Sequence, residues 1–404
     1  MTIFISIQNR QRLPKMGLER EKMKINTRSL TEGLSYALDV AEKSYLSHSK
    51  HVAYISVMIA KELELSMEEQ EDLYYAALLH DIGARNSYII QEHCEVGRDI
   101  ILKLPIKKVI AECVHYHHEY FNGTGPFQLK GDQIPLFAQI ICIANSFDSR
   151  FGTKVALNLE VINEIKLWVI SNKDLFKPEI LATFTNLIKK EYIFLDYFNK
   201  KFNDLSFKRI EIKGQDLDFE GVEKFAYAFS QIIDMRSRFT YEHSIGIAKL
   251  VNKITFQLGY DNEIQNEMYI AALLHDIGKL AISNDIIDKV GMLNDAERYE
   301  INKHTYYTRW ILEQIEGFEN ITNYASNHHE KLNGNGYPLH LVKDEIGELD
   351  RVMAICDIYE ALTEDRPYRS KMPIDKVWSI IDEMVDNDEL DGILVKKIKL
   401  ILKD

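Results

Sequence analysis

The sequence predicts an all-α protein made of two tandem helical bundles. Apolar residues recur at the spacing of a buried helix face in the stretch YIAALLHDIGKL, at Ile270, Leu273, Leu274 and Ile277. No run of alternating apolar and polar residues ends in a hairpin turn, and glycine and proline cluster in only a few loops. These observations favour helices that pack through short connections.

An internal repeat predicts the tandem arrangement. LYYAALLHDIGA, which begins at Leu73, returns as MYIAALLHDIGK, which begins at Met268. HHEYFNGTG, from His117, returns as HHEKLNGNG, from His328, and ICIANSFD later returns as MAICDIYE. Because similarity extends over several motifs in the same order, we predict two copies of one domain.

The domain boundaries follow from this repeat. We predict an N-terminal arm at residues 1–27, a first domain at residues 28–199, a linker at residues 200–215 and a second domain at residues 216–404. The linker is polar and rich in lysine, as connections between domains often are.

Two capping pairs predict where helices begin. Ser66 precedes Glu69 by three residues, and Asn294 precedes Glu297 by three residues. A short polar side chain and a glutamate at this spacing can satisfy the first free amides of a helix. We therefore expect one helix to start after Ser66 and another after Asn294.

The composition indicates a globular protein and limits its partners. Hydrophobic residues make up 46% of the chain, and 62 acidic against 49 basic residues give a formal net charge of -13. That charge disfavours nucleic acid polymers and anionic membranes, so local cations must hold any phosphate ligand. The four cysteines form no CxxC pair, and we find no secretion signal or long apolar run. We expect a cytoplasmic protein.

His275 and Asp276 interrupt the apolar helix face in the second copy. Burying an imidazole beside a carboxylate is costly unless something compensates both groups, and a divalent cation can do so. These two residues alone fit two interpretations equally well. One is a metal site, and the other is a core histidine beside an aspartate at the end of a helix. The same copy holds seven candidate ligands in all: His243, His275, Asp276, His304, His328, His329 and Asp357.

The candidate ligands comprise five imidazoles and two carboxylates, with no thiolate. Such a set favours iron or manganese, and it also accepts zinc or nickel. Adjacent residues on a helix point about 100° apart. We therefore expect His328 and His329 to share an ion only near the end of a helix, which the following Asn-Gly-Asn-Gly loop supplies.

Four motifs of the second copy together carry a family resemblance: HDIGK, KVGML, HHEKLNGNGYP and RVMAICDIYEALTEDRPYR. In this order they resemble the HD-GYP phosphodiesterases, a branch of the HD-domain metal-dependent phosphohydrolases. The resemblance covers nearly the whole second copy. It implies an all-helical bundle that encloses two metal ions and hydrolyses a cyclic dinucleotide.

The resemblance also implies how the ligands are shared. Asp276 would bridge the two ions. The other ligands would divide between the ions, with His243, His275 and Asp357 on one and His304, His328 and His329 on the other. Some members of the family hold a third ion through a glutamate four residues before the first histidine. Phe239 occupies that position here, so we expect two divalent ions.

Two cations a few ångströms apart would favour phosphodiester hydrolysis, because they activate a shared water and stabilise the entering and leaving oxygens. We expect His275, Asp276 and Lys279 to be catalytic. Lys279 lies four residues after His275, so a helix would place it on the same side, within reach of a phosphate oxygen. The alternative is an exposed lysine at a helix end.

The resemblance implies further substrate contacts from Arg366 and Arg369, to the second phosphate or to guanine bases. It implies that Tyr337 faces the substrate pocket, although a role as a loop anchor is equally compatible. The expected substrate is cyclic di-GMP, opened to pGpG and then to GMP. The alternatives are 3′,3′-cyclic GMP-AMP and a non-catalytic module that senses a nucleotide. Two kinds of protein partner are compatible with the sequence: a second copy of this chain in a homodimer, and a signalling protein.

The first copy departs from the second at its reactive positions. It retains most of the candidate metal ligands: His51, His80, Asp81, His93, His117 and His118. Residues of the second copy are replaced at four positions: Asp357 by Asn145, Lys279 by Ala84, Tyr337 by Pro126 and Arg351 by Gln139. No RPYR motif follows. We expect a catalytically silent, regulatory domain with a vestigial metal site, and the alternative is that its histidines only pack.

Overall fold

The computed structural model describes residues 23–41, 47–84, 89–154, 156–198, 210–236, 243–289, 291–364 and 371–403. These residues form 18 α-helices and almost no sheet, which confirms the predicted all-α class. The first copy contains α1 to α9, at Thr27–Ala41, His48–Glu62, Met67–Leu78, Ile90–Ile101, Lys108–Tyr116, Leu136–Phe151, Leu159–Ser171, Pro178–Ile188 and Glu191–Phe198. The second copy contains α10 to α18, at Phe219–Arg236, His243–Gln257, Asn262–Leu274, Asn284–Ile287, Asp295–Leu312, Glu319–Ser326, Glu348–Thr363, Ile374–Asp386 and Gly392–Ile401.

Short 3₁₀ helices and one small sheet complete the described secondary structure. The 3₁₀ helices are Gly131–Gln133, Ile277–Ala281 and Lys343–Glu345. The sheet pairs strand β1, Ile25–Asn26, with the antiparallel strand β2, Asp216–Leu217. None of the described helices combines the length and the apolar character that crossing a membrane requires.

Both predicted capping pairs are present. Ser66 accepts a hydrogen bond from the backbone N–H of Glu69, and Asn294 accepts one from the N–H of Glu297. In each pair the glutamate accepts a hydrogen bond from the backbone N–H of its capping partner. The helices α3 and α14 therefore begin where the sequence predicted.

The predicted buried face around His275 is confirmed, but the predicted helix is too long. Ile270, Leu273, Leu274 and Ile277 are all fully buried. Helix α12 nevertheless ends at Leu274, and Ile277 opens a 3₁₀ helix. The hydroxyl of Thr308 donates to the carbonyl of His275 (2.8 Å) and accepts from the N–H of Gly278 (3.0 Å). The carbonyl is thus satisfied from α14, so the α-helical ladder need not continue.

Helix α1 packs against both copies. It contacts α2 and α3 of the first copy, and α14 and the 3₁₀ helix Ile277–Ala281 of the second. The ring of Tyr36 meets that of Trp310 edge to face, with centroids 5.1 Å apart. The hydroxyl of Ser29 accepts a hydrogen bond from the N–H of Glu316 (2.7 Å). Through α1, the first copy therefore supports the elements that carry the second copy's site.

The predicted arm and linker meet each other. Strand β1 pairs with β2, at the start of the predicted second domain, and Thr27 donates from its N–H (2.9 Å) and its hydroxyl (2.6 Å) to the carbonyl of Gln215 in the linker. The last residues of the predicted arm, from Ile25 to Thr27, thus belong to the fold, because they supply hydrogen bonds to the end of the linker. Residues 1–22 of the arm, residue 199 of the first domain and residues 200–209 of the linker lie outside the described residues.

Candidate active site

Asp276 lies at the centre of a buried cluster in the second copy. It is the second residue after the end of α12, and its side chain is 3% exposed. Its Oδ2 lies 3.2 Å from Nε2 of His275, and its Oδ1 lies 3.5 Å from Nε2 of His304. Each carboxylate oxygen therefore faces a different histidine, which is the arrangement that a bridging ligand needs.

Asp357 approaches the same cluster from α16. Its Oδ1 lies 3.8 Å from Nε2 of His243 and 3.9 Å from Nε2 of His275, and its Oδ2 lies 3.9 Å from Nδ1 of His329. His328 and His329 follow the end of α15, as expected for two adjacent ligands. The structure thus brings the predicted ligands together, including two groups with donor atoms within 4.8 Å of one another: His243, His275 and Asp276, and His304, His328 and His329.

Backbone carbonyls orient three of the histidines. The Nδ1 atoms of His275, His304 and His328 lie 2.8, 2.7 and 2.7 Å from the carbonyl three residues earlier in the chain. Nδ1 must donate to a carbonyl, so in the neutral ring Nε2 presents a lone pair. The Nε2 atoms of His304 and His328 lie only 3.3 Å apart. Two facing lone pairs repel unless a cation or a proton lies between them.

Burial keeps two of these imidazoles, those of His304 and His328, neutral. It lowers the pKa of His304 to about 3 and that of His328 to about 4. Burial alone would raise the pKa of Asp276, but His275 and Lys279 hold that pKa well below its usual range. Neutral imidazoles and an ionised carboxylate are the forms in which these side chains bind metal ions.

Two buried atoms of the cluster have no hydrogen-bond partner among the described residues. They are Nε2 of His275 and Oδ1 of Asp276. Leaving such an atom unsatisfied costs about 1–3 kcal/mol, and more for a charged group. A divalent cation bound between these atoms would satisfy both. The donor set therefore fits the two divalent ions that the sequence predicted.

A second carboxylate orients the first histidine. Oε2 of Glu364, which follows α16, lies 3.0 Å from Nδ1 of His243. A carboxylate in this position fixes the tautomer that leaves Nε2 for a metal ion and makes the imidazole a stronger ligand. Glu364 was not among the ligands predicted from the sequence.

Two of the predicted substrate residues line the cluster. Nζ of Lys279 contacts Oδ2 of Asp276, and its side chain is 22% exposed. Lys279 lies on a 3₁₀ helix, so the expected α-helical placement beside His275 is wrong. The ring of Tyr337 lies 4.9 Å from that of His329 and 6.4 Å from that of His304. Tyr337 therefore faces the cluster, as the pocket interpretation requires.

The loop that carries Tyr337 is built in the same way in both copies. Glu330 accepts hydrogen bonds from the N–H groups of Leu339 (2.7 Å) and Leu341 (3.0 Å). Glu119 accepts a similar pair in the first copy, from the N–H groups of Phe127 (2.7 Å) and Leu129 (2.6 Å). A Cβ on Gly336 would lie 2.4 Å from the Cα of Glu330, so only glycine permits this approach. The glutamate of the HHE motif therefore holds the loop.

Other predicted positions cannot be placed. Arg366, Arg369 and Phe239 lie outside the described residues.

Arg351 is described, and its guanidinium donates to the carbonyl of Ile346 (2.8 and 3.0 Å). Gln139 donates to the equivalent carbonyl in the first copy, at Ile134 (2.7 Å). This replacement therefore preserves a structural contact.

The first copy contains a similar cluster around Asp81, but with a different first histidine. The structure places His48, His80 and Asp81 in one group and Asp81, His93, His117 and His118 in another. His51, which the sequence analysis included, lies outside both groups, because its Nδ1 faces Asp148 (3.2 Å). His48 precedes His80 by 32 residues, as His243 precedes His275 by 32. This spacing could have identified the correct histidine.

Asp148 contacts the Nδ1 atoms of two histidines of the first copy, His48 and His51. It is fully buried on α6, and its Oδ2 lies 2.5 Å from Nδ1 of His48. It also accepts a hydrogen bond from the hydroxyl of Tyr197 on α9 (2.5 Å). Asp148 aligns with Glu360, one helical turn before Glu364. The two copies therefore orient their first histidine with carboxylates from different positions.

Thr308 provides a test of how the turn after His275 is held. We expect Thr308→Val to lower the free energy of unfolding by about 1–3 kcal/mol, because it leaves the carbonyl of His275 and the N–H of Gly278 unsatisfied. Thr308→Ser should restore most of this loss. Urea unfolding would measure both variants.

Thr255→Val is the matched control for this measurement. Thr255 is also fully buried, but its hydroxyl donates within its own helix, to the carbonyl of Val251 (2.9 Å). A similar loss in the Thr308 and Thr255 variants would show that any buried threonine hydroxyl matters equally, and would contradict the special role of Thr308.

Comparisons with known proteins agree with this arrangement. HD domain models match residues 228–394 and residues 45–150, one in each copy. The 3′3′-cGAMP-specific phosphodiesterase 3 of Vibrio cholerae is 30% identical, over 89% of this chain and 91% of its own length. The 3′3′-cGAMP-specific phosphodiesterase 1 of the same organism is 28% identical, over 91% of this chain and 90% of its own length.

A solved structure shares the tandem arrangement. The crystal structure of a cyclic GMP-AMP specific phosphodiesterase of Vibrio cholerae, V-cGAP3, has a TM-score of 0.70 and 27% identity, covering 94% of this chain and 98% of that one. A cyclic di-GMP phosphodiesterase of Pseudomonas aeruginosa is 36% identical, but over only 32% of each chain. The ordered motifs, the clusters around Asp276 and Asp81, and these full-length similarities show that the chain belongs to the HD-GYP family of HD-domain cyclic dinucleotide phosphodiesterases, with two HD domains in tandem.

Proposed function

We propose that this chain hydrolyses 3′,3′-cyclic GMP-AMP at the site of its second copy. Cyclic di-GMP was the substrate expected from the sequence. The relatives that match this chain over about nine-tenths of its length are specific for 3′3′-cGAMP, and the similarity to the cyclic di-GMP phosphodiesterase of Pseudomonas aeruginosa covers about a third. Because the similarity to the 3′3′-cGAMP-specific phosphodiesterases includes the first copy, it supports 3′,3′-cyclic GMP-AMP as the substrate. Cyclic di-GMP is the rival substrate.

The observation that carries a hydrolytic function is the convergence of Nε2 atoms and carboxylates around Asp276. His243, His275 and Asp357 would hold one divalent ion and His304, His328 and His329 another, with Asp276 between them. Iron and manganese suit these donors best, and zinc and nickel remain compatible. When bound, such a pair of ions supplies an activated water and neutralises charge on the phosphate.

The residues of this chain supply the remaining requirements. Lys279 carries a positive charge at the edge of the cluster, where its ammonium group can donate to a phosphate oxygen. The ring of Tyr337 forms a wall beside His329, against which a base or ribose can pack. Arg366 and Arg369 remain proposed contacts for the second phosphate or the guanine base. Together these groups hold one phosphodiester against the cluster and orient the rest of the nucleotide.

We propose that the first copy is regulatory. It has Ala84 and Pro126 where the second copy has Lys279 and Tyr337, so it lacks a cation and an aromatic wall at the corresponding places. Helix α1 links it to α14, which carries His304. Changes in the first copy can therefore reach the ligand helix of the second through packing.

Turnover measurements test the proposed substrate. The full chain is purified without oxygen, loaded with Fe²⁺ or Mn²⁺ and given 3′,3′-cyclic GMP-AMP or cyclic di-GMP over a range of concentrations. We expect kcat/KM to be at least about tenfold higher for 3′,3′-cyclic GMP-AMP, a difference of about 1.4 kcal/mol in transition-state binding. Equal or reversed values would refute the substrate preference, and no turnover of either nucleotide would refute the hydrolytic function.

A further inference from the structure

We propose that the first copy binds a single divalent ion, held by Asp81, His93, His117 and His118. This ion is additional to the two proposed for the active site. It would connect three segments of the first copy: the turn after α3, which carries Asp81, helix α4, which carries His93, and the end of α5. The proposal concerns a structural metal site and does not depend on which nucleotide the second copy hydrolyses.

The donor atoms of this site converge on one carboxylate. Oδ1 of Asp81 lies 3.1 Å from Nε2 of His93 and 3.6 Å from Nε2 of His117. His118 completes a group whose donor atoms all lie within 4.8 Å of one another. One carboxylate and three imidazoles form a common donor set for a first-row divalent ion.

Two of these imidazoles direct buried, unpaired Nε2 atoms into the site. Nδ1 of His117 lies 2.7 Å from the carbonyl of Val114, so Nδ1 donates and Nε2 is the acceptor. The Nε2 atoms of His93 and His117 are buried and have no hydrogen-bond partner among the described residues. His117 itself is fully buried. In this orientation Nε2 can bind a cation. If His117 served only for packing, nothing would compensate the free-energy cost of burying the unpaired Nε2 atom.

The other half of the cluster lacks the charge for a second ion. In the second copy, Asp357 gives the neighbouring ion a carboxylate of its own. Asn145 occupies the corresponding position here and brings no charge. Two dications in a two-metal site lie only about 3.5–4 Å apart, so their repulsion must be offset by ligand charge. Asp81 alone would have to serve both ions.

Asp148 does not replace the missing carboxylate. It contacts Nδ1 of His48, the ring atom on the far side from Asp81, and it also binds Tyr197. Glu364 holds the equivalent place behind His243, and the second copy has Asp357 in addition. Asp148 is therefore the counterpart of Glu364, and the site that includes His48 and His80 remains one ligand short.

Manganese stoichiometry and electron paramagnetic resonance of the full chain test the proposal. With Mn²⁺ alone added, we expect three ions per chain, and a six-line signal from one isolated Mn²⁺ beside the signal of a coupled pair. His118→Ala should reduce the count to two and remove the six-line signal. His93→Ala should do the same, and it covers the case in which the first variant fails to fold.

Asn145→Asp provides the opposite test, because it restores the missing carboxylate. We expect four ions per chain and conversion of the six-line signal into a coupled one. Asn186→Asp is the matched control, since Asn186 lies on α8 outside the cluster and its side chain accepts a hydrogen bond from Lys189 (3.0 Å). That variant should keep three ions.

Two results would overturn the proposal. One is a wild-type chain with two ions and no six-line signal, and the other is a wild-type chain that already binds four. Turnover of 3′,3′-cyclic GMP-AMP is measured on the same samples. A six-line signal without turnover would refute the proposed function and leave this inference intact. Turnover without that signal would refute this inference alone.

Discussion

Asp276→Ala is expected to lower kcat by roughly 10³-fold or more. Asp276 faces His275 through one carboxylate oxygen and His304 through the other, so its loss would remove a ligand from both proposed ion positions. Loss of a supporting residue behind a metal ligand costs about 10- to 100-fold, and loss of the shared ligand should cost more. Steady-state kinetics with manganese-loaded protein, together with metal analysis, would measure the effect.

Asp81→Ala is the matched control in the first copy. Asp81 aligns with Asp276 in the repeated sequence ALLHDIG, and it is also buried. We expect turnover to stay within about tenfold of wild type, which is a typical size for coupling between sites. Activity that survives Asp276→Ala and disappears only when Asp81 is also replaced would show that the first copy is catalytic.

Much of the second copy's site could be predicted because most of its candidate ligands lie in recognisable motifs. His275 and Asp276 stand beside each other, and His328 and His329 follow one helix directly. Each helix then has one orientation that buries its apolar face, and that orientation points the ligands inward. Apolar spacing and motif order were sufficient to predict which side chains the structure brings together.

The supporting residues were harder to predict. Glu364 and Asp148 perform the same task for His243 and His48, yet they do not occupy equivalent positions in the two copies. Which of two residues one turn apart reaches an imidazole depends on how the helices cross and on side-chain length. That information is not contained in the repeat. The spacing of 32 residues before the HD motif, in contrast, was visible in the sequence and points to His48.

The end of α12 was mispredicted for a related reason. Apolar spacing continues through Ile277, so periodicity alone extends the helix. Two features outside that pattern end it. Thr308 on α14 satisfies the carbonyl of His275, and Gly278 lets the backbone of α14 come close. A contact between segments about 30 residues apart cannot be inferred from the pattern of one segment.

Gly278→Ala is expected to have the largest effect on stability. A Cβ at this position would lie 1.9 Å from the carbonyl oxygen of His304 and 2.5 Å from the backbone nitrogen of Thr308. Both atoms belong to the backbone of α14, so no side-chain rotation relieves the contact. Overpacking typically costs about 1–3 kcal/mol, and we expect a loss at the upper end of that range. Urea unfolding would measure it.

The same substitution should also damage the site. To make room for the methyl group, α14 must move away from the turn that follows Asp276, and His304 moves with it. We therefore expect loss of bound metal and a fall in kcat of at least about 10²-fold, as for the removal of other metal-positioning groups. Gly221→Ala is the control, because its Cβ would meet only the side chain of Leu217, at 3.0 Å. The contradicting result is a Gly278→Ala variant that keeps wild-type stability and metal content, as Gly221→Ala should. It would show that the close approach of these two backbones does not position His304 against Asp276.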